Sequence, residues 1–194
     1  MPKKLYLLRH GRVDTKGRYI GSTDLPLLSE GRDDLAAIAP FLHRQNFDTL
    51  LCSPLLRCRQ SLEILNLGVR TVICGELREV DFGEWEGLTF AEIVHRDARL
   101  VEQWAAWSED FSFPEGEGIG AFLLRIKEVR RMITEQSAER ILIISHGGVI
   151  RQLICSFLGL GPDKHLAFEI QPGLCSVIDL HTAGGVLVGL NQGR

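Results

Sequence analysis

The sequence predicts an α/β fold, a three-layer α/β/α sandwich with a largely parallel sheet. Short apolar runs alternate along the chain with longer amphipathic stretches, as strands and helices do when they follow one another. The 194 residues, 45% of them apolar, are enough to bury a substantial core. We expect one domain over residues 1–194, with a small helical lid drawn from about 88–118.

The N-terminal part begins with a buried strand at residues 4–8. A helix is predicted from Ser29, a typical capping residue, because apolar residues recur at helical spacing up to Leu42. Pro40 lies inside this stretch and is expected to kink or shorten the helix. Residues 49–52 read as the second strand.

The middle of the chain continues the alternation. Ser53 followed by proline predicts a helix over 54–65, because proline is favoured in the first helical turn. Residues 69–74 are expected to form a strand and 77–88 a loop. Thr89 opens a capping-box pattern and hence a further helix, within a polar and aromatic segment that resembles a lid more than core.

The C-terminal part predicts two helices and three strands. The amphipathic stretch 122–133 and the apolar stretch 150–158 are expected to be helices, and 140–145 a strand between them. The runs 176–180 and 186–190 flank a glycine-containing turn and should form a hairpin.

Composition excludes several classes of function. Lys and Arg number 22 against 25 Asp and Glu, a net charge of −3, which argues against nucleic acid as the main partner. No apolar run approaches the ~20 residues that span a membrane. The apolar run 5–8 is also shorter than the roughly 7–15 residues that a signal peptide needs, so we expect a cytoplasmic protein.

The cysteines and histidines show no pattern of a metal site. The five cysteines contain no CxxC pair, and the six histidines contain no HxxxH pair. We expect the thiols to fill the core and expect no metal and no cofactor.

Two histidines occupy equivalent positions. His10 follows one apolar strand and precedes Gly11, and His146 follows another and precedes Gly147. Ligands of open α/β sheets bind at the carboxyl ends of strands. Glycine permits close approach of the backbone, and the helix after His146 offers N–H groups to an anion. The alternative is that both histidines are structural.

Two arginines are expected at the same edge of the sheet. Arg9 adjoins His10, and Arg57 lies early in the helix after the second strand. Guanidinium groups match phosphate oxygens in a bidentate manner, so this set predicts a phosphate pocket. Arg57 has the alternative of a surface position, for which the neighbouring Arg59 is the better candidate.

Several segments, in order, resemble the histidine phosphatase superfamily, also called phosphoglycerate mutase-like. They are Leu8-Arg9-His10-Gly11, the stretch from Gly21 to Gly31, Ser53-Pro54-Leu55-Leu56-Arg57, the stretch from Leu77 to Gly87, and Ser145-His146-Gly147-Gly148. The resemblance covers nearly the whole chain, and five ordered motifs are far more specific than one.

The resemblance implies a role for each motif residue. His10 would attack phosphorus to give a phosphohistidine. Glu79 would donate a proton to the leaving oxygen and later accept one from water. Arg9, Arg57, His146 and the backbone of Gly147 would hold the phosphate oxygens.

Three other acidic residues near Glu79 could be the proton donor instead. Asp81, Glu84 and Glu86 belong to the same loop. Glu79 is preferred because its offset from Phe82-Gly83 matches that of the superfamily.

Three departures from the superfamily pattern lie on the side of the leaving group. Arg12 stands where Glu or Gln is common, and an asparagine often found a few residues later is absent. Residues 113–118 lack the usual serine. These differences concern the substrate and leave the phosphoryl centre intact.

The predicted function is metal-independent hydrolysis of a small phosphorylated metabolite. Residues 77–87 are most similar to those of α-ribazole phosphatases and related phosphatases, which makes α-ribazole phosphate a candidate substrate and implies cobalamin biosynthesis. The alternatives are a cofactor-dependent phosphoglycerate mutase and a catalytically weak protein that binds a phosphorylated ligand. We expect no nucleic acid and no membrane as partner, and the sequence does not indicate an oligomeric state.

The predicted lid is acidic and rich in tryptophan. Its acidic residues outnumber its arginines: Glu92, Asp97, Glu102, Glu109, Asp110, Glu115 and Glu117 against Arg96 and Arg99. Such a lid should repel a second anionic group and favour a neutral or cationic body. Trp85, Trp104 and Trp107 are expected either to stack on that body or to be packing residues.

Overall fold

A single mixed sheet forms the centre of the computed structural model, which describes residues 3–193. Its strands are β1 (Lys3–Arg9), β2 (Thr49–Cys52), β3 (Thr71–Ile73), β4 (Arg140–Ser145), β5 (Cys175–His181) and β6 (Gly184–Gln192). The strand order is β3-β2-β4-β1-β5-β6. β1, β4, β2 and β3 pair in parallel, and β5 is antiparallel to both of its neighbours. The predicted largely parallel sheet and C-terminal hairpin are confirmed.

Helices cover both faces of this sheet. They are α1 (Ser29–His43), α2 (Leu56–Leu65), α3 (Phe90–Ala105), α4 (Ile119–Glu135) and α5 (Gly147–Leu158). Short 3₁₀ helices occupy Gly75–Leu77, Gly83–Trp85 and Pro162–Ala167.

The alternation of side chains along β1 shows the three layers. Leu5 and Leu7 belong to an apolar cluster with residues of α4 and α5. Tyr6 and Leu8 belong to a second cluster with residues of α1 and α2. Because successive side chains of a strand point to opposite faces, one short apolar run supplies both cores.

Two helices begin differently from the prediction. Ser29 is the first residue of α1, not its cap, and the helix continues through Pro40 to His43. α2 begins at Leu56, two residues after the predicted start, and its first N–H is bonded to Asp24 Oδ1 at 2.6 Å. The cap of α2 therefore comes from a distant loop.

The predicted lid segment, 88–118, contains α3 and the loop that follows it. The Thr89 capping box is present, with Glu92 as its partner. The expectation that this segment stays out of the core was wrong in part. Ile93, Phe111 and Phe113 are buried in the cluster that also contains Trp85, because the segment folds back and buries its aromatic rings.

All five cysteines are free and buried, in agreement with the prediction that they fill the core. Among residues 3–193, no helix has the length and apolar character needed to cross a membrane.

Candidate active site

His10 lies at the carboxyl end of β1 and is almost fully buried, with 4% of its surface exposed. Its Nδ1 is 2.7 Å from the carbonyl oxygen of Gly11. A carbonyl only accepts hydrogen bonds, so Nδ1 carries the proton and Nε2 keeps its lone pair. Burial, followed by the positive charges of Arg57 and Arg9, holds the pKa of His10 well below its usual value. The ring is therefore a neutral nucleophile with a defined tautomer.

Arg9 adjoins His10 and has an unused donor. Its Nη1 donates to the carbonyl oxygen of Ile170 at 2.6 Å. Its Nε is buried and has no hydrogen-bond acceptor within residues 3–193. Burial lowers the pKa of Arg9, yet a guanidinium remains charged at neutral pH. A buried charged donor without an acceptor is unfavourable, and a phosphate oxygen would satisfy it.

Arg57 is buried, 1% exposed, so the surface alternative was wrong, whereas Arg59 is exposed. Nη1 and Nη2 of Arg57 donate to the carbonyl oxygens of Thr23 and Gly21, each at 2.8 Å. These bonds fix the guanidinium plane and leave one N–H on each Nη for a ligand.

His146 links Arg57 to Ser53. Arg57 Nε lies 3.1 Å from His146 Nδ1, and His146 Nε2 lies 2.8 Å from Ser53 Oγ. A guanidinium only donates, so Nδ1 is the acceptor and Nε2 carries the proton that Ser53 accepts. Burial, with smaller contributions from the charges of His10, Arg57 and Arg9, lowers the pKa of His146 well below its usual value. His146 is therefore a neutral residue that orients Arg57, and its ring centroid lies 5.1 Å from that of His10.

Glu79 contacts the start of α5. Its Oε2 accepts a hydrogen bond from the backbone N–H of Gly148 at 2.9 Å, and its Oε1 accepts one from Val80 N–H at 3.1 Å. The carboxylate is half-buried at the positive end of the helix.

The other three candidates for the proton donor bind groups elsewhere in the fold. Glu86 Oε1 accepts hydrogen bonds from the N–H groups of Gly21 and Ser22 at 2.9 and 2.8 Å, which shapes the loop that holds Arg57. Asp81 accepts a hydrogen bond from Gly83 N–H at 3.0 Å, and Glu84 pairs with Arg96. Among these four carboxylates, Glu79 alone bonds to the first turn of α5.

The glycines after the two histidines serve different purposes. A Cβ on Gly11 would lie 2.6 Å from the carbonyl oxygen of Gly31 and 2.9 Å from Leu35 Cδ1, so this glycine permits close packing of α1. Approach of its backbone to a ligand stays a prediction. A Cβ on Gly147 would lie 3.4 Å from Arg9 Cζ, and one on Gly148 would lie 2.5 Å from Glu79 Oε1. These two glycines do face the site.

Two hollows adjoin Glu79. The first, about 290 Å³, is bordered by acidic side chains together with Arg78: Asp81, Glu115 and Glu117 share its lining with Glu79. The second, the aromatic cavity of about 220 Å³, is lined by Tyr19, Glu79, Val80, Phe82, Trp104, Trp107, Phe122, Gly148, Arg151, His165 and Leu166. Arg151 and His165 did not stand out in the sequence, because an arginine inside a helix and a histidine after it resemble ordinary surface residues.

One of the three tryptophans packs in the core, and the other two line a cavity. Trp85 is fully buried, and its Nε1 donates to Asp97 Oδ2 at 2.8 Å, so it is a packing residue. Trp104 and Trp107 line the aromatic cavity. Only these two are placed where they could contact a leaving group.

Several acidic residues of the 88–118 segment are paired with arginines. Glu92 lies 3.0 Å from Arg18, and Glu117 lies 2.6 Å from Arg125. Arg12, which departs from the superfamily pattern, forms a surface pair with Asp34 at 2.7 Å. The acidity of the segment is therefore partly offset, and none of its acidic residues lines the aromatic cavity.

Within residues 3–193, no group of three or more His, Cys, Asp and Glu side chains is arranged to hold a metal ion. The donors that converge on the site are arginines and histidines, which suit an oxyanion.

Comparison with known proteins shows similarity along nearly the whole chain. The family profile described as histidine phosphatase superfamily (branch 1) matches residues 5–193. The adenosylcobalamin/alpha-ribazole phosphatase of Salmonella typhimurium is 32% identical over 197 residues, covering 97% of this chain and 96% of that protein. Phosphoserine phosphatase 1 of Hydrogenobacter thermophilus is 28% identical, covering 97% and 92%. The solved alpha-ribazole phosphatase from Shigella flexneri gives a TM-score of 0.89 at 28% identity, covering 98% and 97%.

Proposed function

This chain belongs to the histidine phosphatase superfamily, and we propose that it hydrolyses the phosphomonoester of a small metabolite through a phosphohistidine formed on His10. One observation carries the assignment of the nucleophile. His10 is neutral and has a free Nε2, while the buried Nε of the adjoining Arg9 lacks an acceptor. A nucleophile and an unpaired cationic donor side by side suit a phosphoryl group.

The first step transfers the phosphoryl group to the enzyme. The lone pair of His10 Nε2 forms a bond to phosphorus as the ester P–O bond breaks. The leaving oxygen takes a proton from the carboxyl group of Glu79 and departs as an alcohol. The hydrogen bond from Nδ1 to Gly11 stabilises the positive charge that develops on the ring.

The second step returns the enzyme to its starting state. Water attacks phosphorus, and the carboxylate of Glu79 accepts its proton. The P–N bond breaks, its electron pair returns to His10 Nε2, and inorganic phosphate leaves. In both steps Arg9 and Arg57 offset the charge on the equatorial oxygens.

His146 and Gly147 complete the proposed phosphate site. The Gly147 N–H lies at the beginning of α5, where backbone donors favour an anion. His146 holds Arg57 in place through Nδ1. Its Nε2–H reaches a phosphate oxygen only by exchanging its bond to Ser53.

α-Ribazole phosphate is our leading candidate substrate. The relative from Salmonella typhimurium is an adenosylcobalamin/alpha-ribazole phosphatase, and its similarity covers nearly all of this chain. The aromatic walls of the cavity beside Glu79 suit a planar base attached to the phosphate-bearing sugar. This assignment places the enzyme in cobalamin biosynthesis. We also propose a cytoplasmic location, supported by five cysteines that are all free.

The experiment is to measure phosphate release from α-ribazole phosphate and from a panel of phosphorylated metabolites, with EDTA present. We expect turnover of α-ribazole phosphate by the wild type and none by His10→Gln. Activity that disappears on chelation and returns with a divalent ion would contradict the metal-independent reaction. Faster hydrolysis of another metabolite would correct the substrate and leave the reaction in place.

A further inference from the structure

We infer that Arg151 determines specificity by binding an oxygen acceptor, preferably a carboxylate, on the leaving group of the substrate. This inference rests on the proposed function, because it takes the leaving group to lie in the aromatic cavity beside Glu79. No motif in the sequence analysis included Arg151.

The position of Arg151 follows from α5. Gly148, in the first turn, donates its N–H to Glu79 Oε2 at 2.9 Å. Arg151 follows three residues later, so it lies on the same face of the helix. All three residues line the aromatic cavity. A leaving group that takes a proton from Glu79 is therefore within reach of Arg151 if it extends into this cavity.

The guanidinium is held in place and has no anionic partner. Arg151 Nε donates to the carbonyl oxygen of Phe168 at 2.8 Å, and the residue is half-buried. None of the ion pairs formed within residues 3–193 includes Arg151. Both Nη atoms keep donors in a planar fork that matches a carboxylate. A partly desolvated cation without a counter-charge is unfavourable, and an anionic ligand would compensate for it.

The charges around the cavity favour an anion over a cation. Glu79 is the one carboxylate in its lining. The charge of Arg151 is close enough to contribute to the lowered pKa of both Arg9 and His165, after burial as the main cause. The sequence predicted a substrate whose leaving group is neutral or cationic. Such a leaving group would suit the acidic hollow beside Glu79 and not the aromatic cavity.

The aromatic walls also contain two indole N–H groups that have no acceptor within residues 3–193. The Nε1 atoms of Trp104 and Trp107 are buried and have no hydrogen-bond acceptor among the described residues. His165 stacks on Trp107 with ring centroids 4.0 Å apart and donates from Nδ1 to the Pro162 carbonyl oxygen at 3.0 Å. A planar leaving group that carries oxygen acceptors matches these walls.

The test uses four aryl phosphates whose leaving groups differ in charge: phenyl phosphate, 3-carboxyphenyl phosphate, 4-carboxyphenyl phosphate and 4-(aminomethyl)phenyl phosphate. Their kcat/KM values are compared for the wild type, Arg151→Met, Arg151→Lys and Arg99→Met. Arg99 is the matched control, because it is an exposed arginine of α3 outside the cavity lining.

We expect the wild type to favour one of the carboxyphenyl phosphates over phenyl phosphate. Arg151→Met should reduce the ratio of carboxyphenyl to phenyl kcat/KM by about tenfold or more, the effect of losing a charged hydrogen bond. Arg151→Lys should keep part of the preference, and Arg99→Met all of it.

Two outcomes would overturn the inference. In the first, the wild type and Arg151→Met prefer the carboxyphenyl phosphates to the same extent. In the second, the wild type prefers 4-(aminomethyl)phenyl phosphate, which would place the leaving group in the acidic hollow. If Arg151→Met does not fold, Arg151→Lys and the wild-type panel still decide. Failure of the proposed function would be distinct, since no aryl phosphate would then be hydrolysed.

Discussion

Glu79 Oε2 accepts a hydrogen bond from the backbone N–H of Gly148 at 2.9 Å. The same helix is capped by His146, whose Nδ1 accepts a hydrogen bond from Arg57. The first turn of α5 therefore positions the proposed acid on one side and Arg57, an arginine proposed to bind phosphate, on the other. A change in the backbone of this turn should alter both steps of the reaction.

Gly148→Ala is predicted to displace the carboxylate of Glu79. The added Cβ would lie 2.5 Å from Oε1, too close for an unmoved side chain. Neither Gly147 nor Gly148 has a positive φ, so the effect does not come from backbone strain. We expect hydrolysis of an alkyl phosphate to fall steeply and that of p-nitrophenyl phosphate to fall little, measured as kcat/KM.

Gly147→Ala is the matched control for this substitution. Its Cβ would meet Arg9 Cζ at 3.4 Å, so the phosphate site is disturbed and the acid is not. We expect similar losses on both substrates. If the two alanine variants gave the same pattern, the separation of roles between the glycines would be wrong.

Glu79→Gln is predicted to damage slow leaving groups selectively. The amide can still accept a hydrogen bond from Gly148 but cannot donate a proton as a carboxylic acid does. An alkoxide needs that proton, whereas p-nitrophenolate leaves without it, so turnover of an alkyl phosphate should fall by about 10²–10⁴-fold. Equal losses on both substrates would point to Asp81 or Glu84 as the acid instead.

His10→Ala is predicted to abolish the covalent intermediate. Rapid quenching of the wild type with a radiolabelled phosphoester should trap an adduct that is labile in acid and stable in alkali. The adduct should be absent from the variant, because the free Nε2 of His10 is the proposed acceptor. Undiminished labelling of His10→Ala would exclude this residue as the nucleophile.

The fold was largely predictable because two central strands, β1 and β4, are apolar on both faces. Residues 5–8 and 141–144 serve two cores at once, so their continuous apolar character identified them without tertiary information. The start of α2 was not predictable. Its cap is Asp24 from another loop, while the local candidate, Ser53, is bonded to His146.

The grouping of residues at the candidate site was also predictable, because the motifs stand at the strand ends that meet there. His10, Arg57 and His146 lie together as expected. Arg151 was not found, because its importance depends on which side of α5 faces the aromatic cavity. Neither residue type nor spacing distinguishes it from an exposed helix arginine such as Arg59.

Stability is predicted to decrease on mild acidification. Burial lowers the pKa of His10, His146 and His165 below the ordinary 6.5. Below pH 6.5 the unfolded chain therefore binds protons that the folded chain does not, and the free energy of unfolding falls as the pH falls. Each histidine that stays neutral in the fold contributes at most about 1.4 kcal/mol per pH unit.

Urea denaturation at about pH 7.5 and 5.5 measures this effect, in the range where an ordinary histidine titrates. His165→Asn should reduce the difference between the two midpoints, because the variant lacks one buried histidine. His95→Asn is the control, since His95 is exposed on α3. A wild-type midpoint that does not change between the two conditions would contradict the assignment of neutral buried histidines.

The protein is predicted to release inorganic phosphate from its phosphohistidine and not to transfer the phosphoryl group as a mutase does. A mutase must keep water from the phosphohistidine and hold a bisphosphorylated intermediate while it reorients. Arg9 and Arg57 are proposed to hold the first phosphate, and the lining of the aromatic cavity contains one arginine, Arg151, for a second. Incubation with 3-phosphoglycerate and catalytic 2,3-bisphosphoglycerate should yield little 2-phosphoglycerate. Rapid interconversion without free phosphate would establish the mutase alternative.

In the proposed phosphate pocket, permanently charged guanidinium groups lie beside neutral imidazole rings, so the charge of these side chains changes little with pH. Arg9 and Arg57 keep their charge at neutral pH, and burial holds the pKa of His10 and His146 well below its usual value. A phosphomonoester itself changes from monoanion to dianion near pH 6. These four residues do not follow that change, so their contribution to substrate affinity around that pH reports the ionisation of the ligand.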